Sequence, residues 1–145
     1  MKLHQLSVFL ENKRGQLSVP LNLLATAGID IRTLSLADTQ QFGILRLIVS
    51  DWQRAKEVLE SKHCVVNVTQ VVAIEVPDEP GGLAEVVKVI DHADVDIEYM
   101  YAFTFRTGRA VLIFRFNEPD AAIKQLQAEG VNVMGSQEFQ ERFPG

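Results

Sequence analysis

Gly15 and Gly81 stand 66 residues apart, and each sits in a short polar stretch between an alternating apolar run and a helical one. This internal repeat limits the possible folds more than any other feature, because two copies of one pattern must fold as two copies of one unit. Leu6, Val8 and Leu10 alternate as on a half-buried strand, and so do Val72, Ile74 and Val76. Leu17, Leu21 and Leu24 recur at helical spacing, and Leu83, Val87 and Ile90 repeat them 66 residues later. Farther on the spacing becomes 67, pairing Leu45 with Leu112, Leu47 with Phe114, Ala55 with Ala122 and Leu59 with Leu126. A second-copy turn one residue longer, at Arg106-Thr107-Gly108-Arg109, accounts for the step.

Each copy reads strand-helix-strand-strand-helix-strand. In the first, Leu6–Leu10, Ile29–Ala37, Ile44–Val49 and Cys64–Val68 are strands, and a helix from Ser50 or Asp51 carries Trp52, Ala55, Val58 and Leu59. In the second, Val72–Val76, Val95–Phe105, Ala110–Phe116 and Val131–Met134 are strands, and Asn117 caps a helix with Pro119 at its start. No linker separates the copies: Cys64 through Val76 is nearly continuous strand-like sequence, broken only around Asn67-Val68-Thr69-Gln70. The fold class is α+β: two tandem ferredoxin-like βαββαβ units, each a four-stranded antiparallel sheet with both helices on one face. The boundaries fall at residues 1–69 and 70–145.

The two polar stretches, Asn12-Lys13-Arg14-Gly15-Gln16-Leu17 and Asp78-Glu79-Pro80-Gly81-Gly82-Leu83, both open helices. The first amides of a helix have no carbonyl partner within it, and they favour a carboxylate or a phosphate. Charge separates the two copies. Residues 1–70 hold 8 Lys and Arg against 6 Asp and Glu, whereas residues 71–145 hold 6 against 13. Lys13 and Arg14 flank the first glycine, and Asp78 and Glu79 precede the second, so the first loop is expected to hold an anion more strongly.

The rest of the composition narrows the function classes. A net charge of −5 argues against a nucleic-acid partner. Tyr99, Tyr101, Phe103 and Phe105 share one strand face beside Glu98, which reads as sheet packing rather than base stacking. No apolar run approaches the roughly 18 residues of a membrane span, and no secretory pattern precedes the first strand. With one cysteine, Cys64, no internal disulfide forms, and a cytoplasmic location is expected. His4, His63 and His92 have no metal-ligand spacing, so neither a metal nor a cofactor is expected. No nucleophile, base and orienting group come together near either loop.

The element order, the loop Glu-Asn-Lys-Arg-Gly-Gln-Leu after the first strand and Ala-Gly-Ile-Asp-Ile after the first helix resemble the ACT domain. That family's loop reads roughly Asn-x-Pro-Gly-x-Leu, and the second copy matches its Pro-Gly at Pro80-Gly81. The resemblance spans nearly the whole chain as two tandem copies with no catalytic domain. It implies a module that binds a free amino acid at interfaces between paired domains and regulates a partner enzyme or regulator in trans. The ligand-binding residues it nominates are Asn12, Lys13, Arg14, Gly15, Gln16 and Leu17 in the first loop. In the second loop they are Glu79, Pro80, Gly81, Gly82 and Leu83, with Asp30 and Asp96 facing a neighbouring loop. Arg14 stands where the family usually has Pro, and Asp30 and Asp96 stand where Asn is typical. Homodimerisation is expected, because small sheets have edges to cover. Two other readings are an acylphosphatase-like hydrolase using Arg14 and a dimerising scaffold without a ligand.

Overall fold

A computed structural model describes residues 1–11, 13–38, 41–106 and 108–142. The chain divides into two compact units, one of residues 4–69 and one of residues 70–142 together with 1–3. The element order is β1 (Leu3–Glu11), α1 (Ser18–Thr26), β2 (Ile31–Asp38), β3 (Phe42–Val49), α2 (Trp52–Ser61) and β4 (Val65–Pro77). It continues with α3 (Gly82–Asp91), β5 (Ile97–Arg106), β6 (Arg109–Phe116), α4 (Pro119–Ala128), β7 (Val133–Met134) and α5 (Ser136–Arg142).

In the N-terminal unit the strand order is β2-β3-β1-β4. Leu6 pairs with Leu47 and Val8 with Leu45, and β2 sets Leu34 and Leu36 against the same two leucines. In the C-terminal unit β7 and β6 flank β4, and β5 lies outside β6. There Val72 pairs with Phe114 and Ile74 with Leu112, the repeat counterparts of the first two pairs. Because a one-residue slip would turn each strand's apolar set to the other face, matching register means matching cores. The N-terminal core joins Leu6, Val8, Leu45 and Leu47 to Leu24 of α1 and Leu59 of α2. The C-terminal core joins Val72, Ile74, Leu112 and Phe114 to Ile90 of α3 and Leu126 of α4.

Two expectations need correcting, and one helix lies beyond the sequence reading. The break at Asn67–Gln70 is absent: β4 runs unbroken over 13 residues. Asn67 and Thr69 are polar but do not interrupt pairing, and the stretch holds no glycine or internal proline. β4 therefore supplies the last strand of the first repeat and the first strand of the second. Asn117 does not cap α4, whose N-cap residue is Glu118 without a side-chain bond. Its Oδ1 instead accepts the Asp96 amide at 2.8 Å. Finally, α5 has no counterpart in the first repeat. Asp51, by contrast, caps α2 as expected, accepting the Arg54 amide at 3.2 Å. No helix among the described residues is long and apolar enough to cross a membrane.

Candidate functional site

The two glycine loops share one backbone signature. Gly15 and Gly81 both have φ +89°, in the left-handed region that a side chain resists. After each, the next amide folds back on the loop: Gln16 N–H donates to the Lys13 carbonyl at 3.3 Å and Gly82 N–H to the Glu79 carbonyl at 3.0 Å. The second turn is tighter for a steric reason, since a Cβ on Gly82 would lie 2.4 Å from the Pro77 carbonyl oxygen. α1 and α3 begin just beyond, so the amides of their first turns have no intrahelical carbonyl to meet, although Pro20 in the first turn of α1 has no N–H. Asn12 lies outside the described residues.

Charge around the loops is partly committed. Lys13 Nζ sits 2.9 Å from Glu11 Oε2 on the exposed surface. This contact lowers the Glu11 pKa and raises that of Lys13, first through the hydrogen bond and then through the opposite charge. Arg14 has no ion pair among the described residues. Asp78 gives its amide to the Gly108 carbonyl at 2.9 Å, which fixes the second loop against the β5–β6 turn.

Within one repeat the structure does not bring the loop and the aspartate together. Ile31 pairs with Val49 at the end of β3, whereas Glu11, just before the first loop, pairs with Phe42 at its beginning. At about 3.3 Å per residue, Asp30 and Gly15 are separated by roughly 20 Å along the sheet. Asp96 and Gly81 occupy the same opposite ends of the second unit, because Ile97 pairs with Phe116 and Pro77 with Arg109. Both aspartates have a common local task. Asp30 N–H donates to Ser50 Oγ at 3.1 Å while Ser50 N–H donates to the Asp30 carbonyl at 2.9 Å. Asp96 and Asn117 make the same reciprocal pair at 2.8 and 3.2 Å. The Asp30 carboxylate also pairs with Arg32.

Beside each glycine loop lies a crevice, and the two crevices are built at equivalent positions. The first, about 370 Å3, runs between the end of β1, the start of α1 and the start of β4. The second, about 520 Å3, runs between the later part of β4, the start of α3 and the segment before β7. Phe9, Val19, Phe42 and Val65 line the first; Glu75, Glu85, Arg109 and Asn132 stand at the same places in the second. One fold position is therefore apolar in one repeat and charged in the other.

The second crevice draws its charge from a buried centre. Glu75 is 8% exposed, and its two carboxylate oxygens meet Arg109 at 2.8 Å and Arg142 of α5 at 2.7 Å. Two guanidinium partners offset the cost of taking one carboxylate out of water. Phe139 of α5 is fully buried and meets Phe103 edge-on, with ring centroids 6.3 Å apart. This explains one member of the aromatic row on β5 as sheet-face packing. Glu75, Arg109 and Arg142 escape a motif search because they fit no motif. The signal that would find them is the register itself, which sets Phe9 against Glu75 and Phe42 against Arg109. Among the described residues no group of three or more His, Cys, Asp or Glu side chains could hold a metal ion.

The profile of a family described as an ACT domain pair matches residues 1–141. A protein of known crystal structure from Bacteroides thetaiotaomicron is 38% identical, with a TM-score of 0.91 over 96% of each chain. The ligand-free regulatory subunit of aspartate kinase from Thermus thermophilus is 14% identical, with a TM-score of 0.63 over 86% of this chain and 91% of that one. Aspartokinase III from E. coli, in complex with lysine and aspartate, is 16% identical with a TM-score of 0.55, covering 100% of this chain and 32% of that one. At those identities the two kinases share the fold. No protein of curated function matches the chain.

Proposed function

Because the chain belongs to the family of paired ACT domains, we propose that it binds a free amino acid and passes the state of occupancy to a partner protein in trans, without catalysing a reaction. The observation that carries this reading is the repeated glycine loop, with φ +89° at both Gly15 and Gly81 and a helix opening just beyond each. Such a loop offers amides and the positive end of a helix to a carboxylate. The ligand-holding residues on this reading are Lys13 to Leu17 and Asn12 in the first loop and Glu79 to Leu83 in the second. Asp30 and Asp96 each lie far from the loop of their own repeat, so on this reading each faces the loop of a neighbouring unit. The proposal includes a homodimer, with ligand held at interfaces between paired domains. Leu34 and Leu36, 46% and 51% exposed on the outer strand β2, are its apolar contact. Ligand bound across such an interface favours one arrangement of the paired domains, and the partner reads the arrangement.

A thermal-shift screen of the twenty amino acids tests the proposal. A true ligand at 100-fold its Kd adds about 2.7 kcal/mol and raises Tm by several degrees. Sedimentation at micromolar concentration should show a species larger than 16.2 kDa. Flat melting curves with all twenty, or hydrolysis of an acyl phosphate by the purified chain, would overturn the reading.

A further inference from the structure

The crevice beside the first glycine loop carries more information than the loop does. Phe9, Val19, Phe42 and Val65 are 39%, 46%, 54% and 61% exposed, and all four line it. Large apolar side chains left in water at one concave place mark a binding surface. The second repeat shows that the fold does not require them, since Glu75, Glu85, Arg109 and Asn132 occupy the equivalent positions. The rim of the first crevice carries Glu11, whose carboxylate meets Lys13, together with Lys62 and His63, and Gln16 of the glycine loop also borders it. Lys62 has no ion pair among the described residues. An apolar floor with a carboxylate and an ammonium group on the rim complements a zwitterion with an apolar side chain. A volume of about 370 Å3 is near the lower end of the roughly 300–1,000 Å3 usual for small-molecule sites. It admits a single small ligand more readily than a helix or strand of a partner.

From these observations we infer that the first-repeat crevice between β1, α1 and β4 holds the side chain of a branched-chain or aromatic amino acid, whereas its polar counterpart in the second repeat rejects the same ligand. This rests on the amino-acid reading above and specifies the ligand class. The rejection has a simple cause: an apolar side chain entering the second crevice would strip water from Glu85 and Asn132 without replacing their hydrogen bonds. The apolar lining of the first has no such bonds to lose.

Cys64 lines the first crevice, is half-buried and is the chain's only cysteine, so it reports occupancy directly. Burial pushes its thiol pKa up, so alkylation is followed at about pH 9. Leucine, isoleucine or phenylalanine at millimolar concentration should slow Cys64 alkylation at least threefold, and glutamate and lysine should not. Phe42→Arg and Val65→Asn install the second-repeat residues at exposed positions. Each should weaken binding by calorimetry at least tenfold while leaving Tm without ligand within a few degrees. If only polar amino acids bind, or apolar ones bind with Cys64 unprotected and both variants unaffected, this inference fails and the amino-acid reading stands. If none of the twenty binds, the amino-acid reading itself fails. If Cys64 is protected without ligand in a dimer that Phe42→Arg dissociates, and no amino acid adds to that protection, the second copy fills the crevice and the inference is overturned.

Discussion

Gly82 shows how one missing carbon sets a loop. Its Cβ position lies 2.4 Å from the Pro77 carbonyl oxygen, a backbone atom that cannot rotate away. Gly82→Ala should therefore force the loop off the end of β4 and cost about 1–3 kcal/mol. Gly15→Ala meets nothing within 4 Å and pays only for its φ of +89°, about 1 kcal/mol. Chemical denaturation of the two variants checks the order, and an equal loss in both would contradict it. At the C-terminal ends of the first-repeat and second-repeat helices, Gly28 and Asp94 occupy equivalent places with φ +71° and +55°. Asp94→Gly removes the strain of a side chain in that region and should leave stability equal or up to about 1 kcal/mol higher. The Glu11–Lys13 contact gives a pH signature. A lowered folded-state pKa means that the pair favours the fold above the ordinary glutamate range and loses that effect as pH falls through it. NMR titration should find Glu11 ionising below a free glutamate, and Lys13→Met should return it toward the ordinary value.

At the scale of elements, α5 is held by one aromatic and one charge. Phe139→Ala empties a fully buried site and should cost roughly 3–4 kcal/mol. Arg142→Ala should cost less, about 1–2 kcal/mol, because Arg109 still partners Glu75 and Arg142 is about one-third exposed. A larger loss for Arg142→Ala than for Phe139→Ala in thermal denaturation would reverse this order. That helix was not legible in the sequence. It spans seven residues and no repeat duplicates it, so neither periodicity nor register supports it. The strands and the other helices were legible because each apolar pattern occurs twice, and chance errors in one copy are corrected by the other. Most of the continuity of β4 was legible; the interruption expected within it rested on Asn67 and Thr69, whose composition suggests a turn although the strand runs through them. Asn117 was misassigned because its partner amide, Asp96, is 21 residues upstream, beyond the reach of local capping rules. The glycine loops could be read from residue type alone. The crevices could not, because their walls come from three separate segments that only the folded sheet brings together.

For the whole molecule, the unequal charge of the two halves ranks the two loops. Residues 1–70 carry a net +2 and residues 71–145 a net −7. Both loops open helices, but Pro20 leaves the first turn of α1 one amide short of that of α3, so any advantage of the first loop must come from charge. Lys13 is engaged with Glu11, which leaves Arg14 as the net positive charge beside Gly15. Beside Gly81 stand Asp78 and Glu79, and Arg109, the nearest base in that crevice, is occupied by Glu75. A unit charge roughly 7 Å from a bound carboxylate contributes on the order of 1–2 kcal/mol at an effective dielectric near 20–40, less when salt screens it. The first loop should therefore be the stronger carboxylate holder, by a margin that narrows as ionic strength rises. Arg14→Glu should weaken amino-acid binding at least tenfold at low salt and by a smaller factor at about 1 M, where the Debye length is roughly 3 Å. Asp78→Lys should leave the tighter site unchanged and strengthen any weaker one. Calorimetry on both variants at the two salt concentrations decides the matter. Binding lost in Gly81→Val but retained in both Gly15→Val and Arg14→Glu would place the stronger site in the second repeat, with local amide geometry outweighing the charge of the halves.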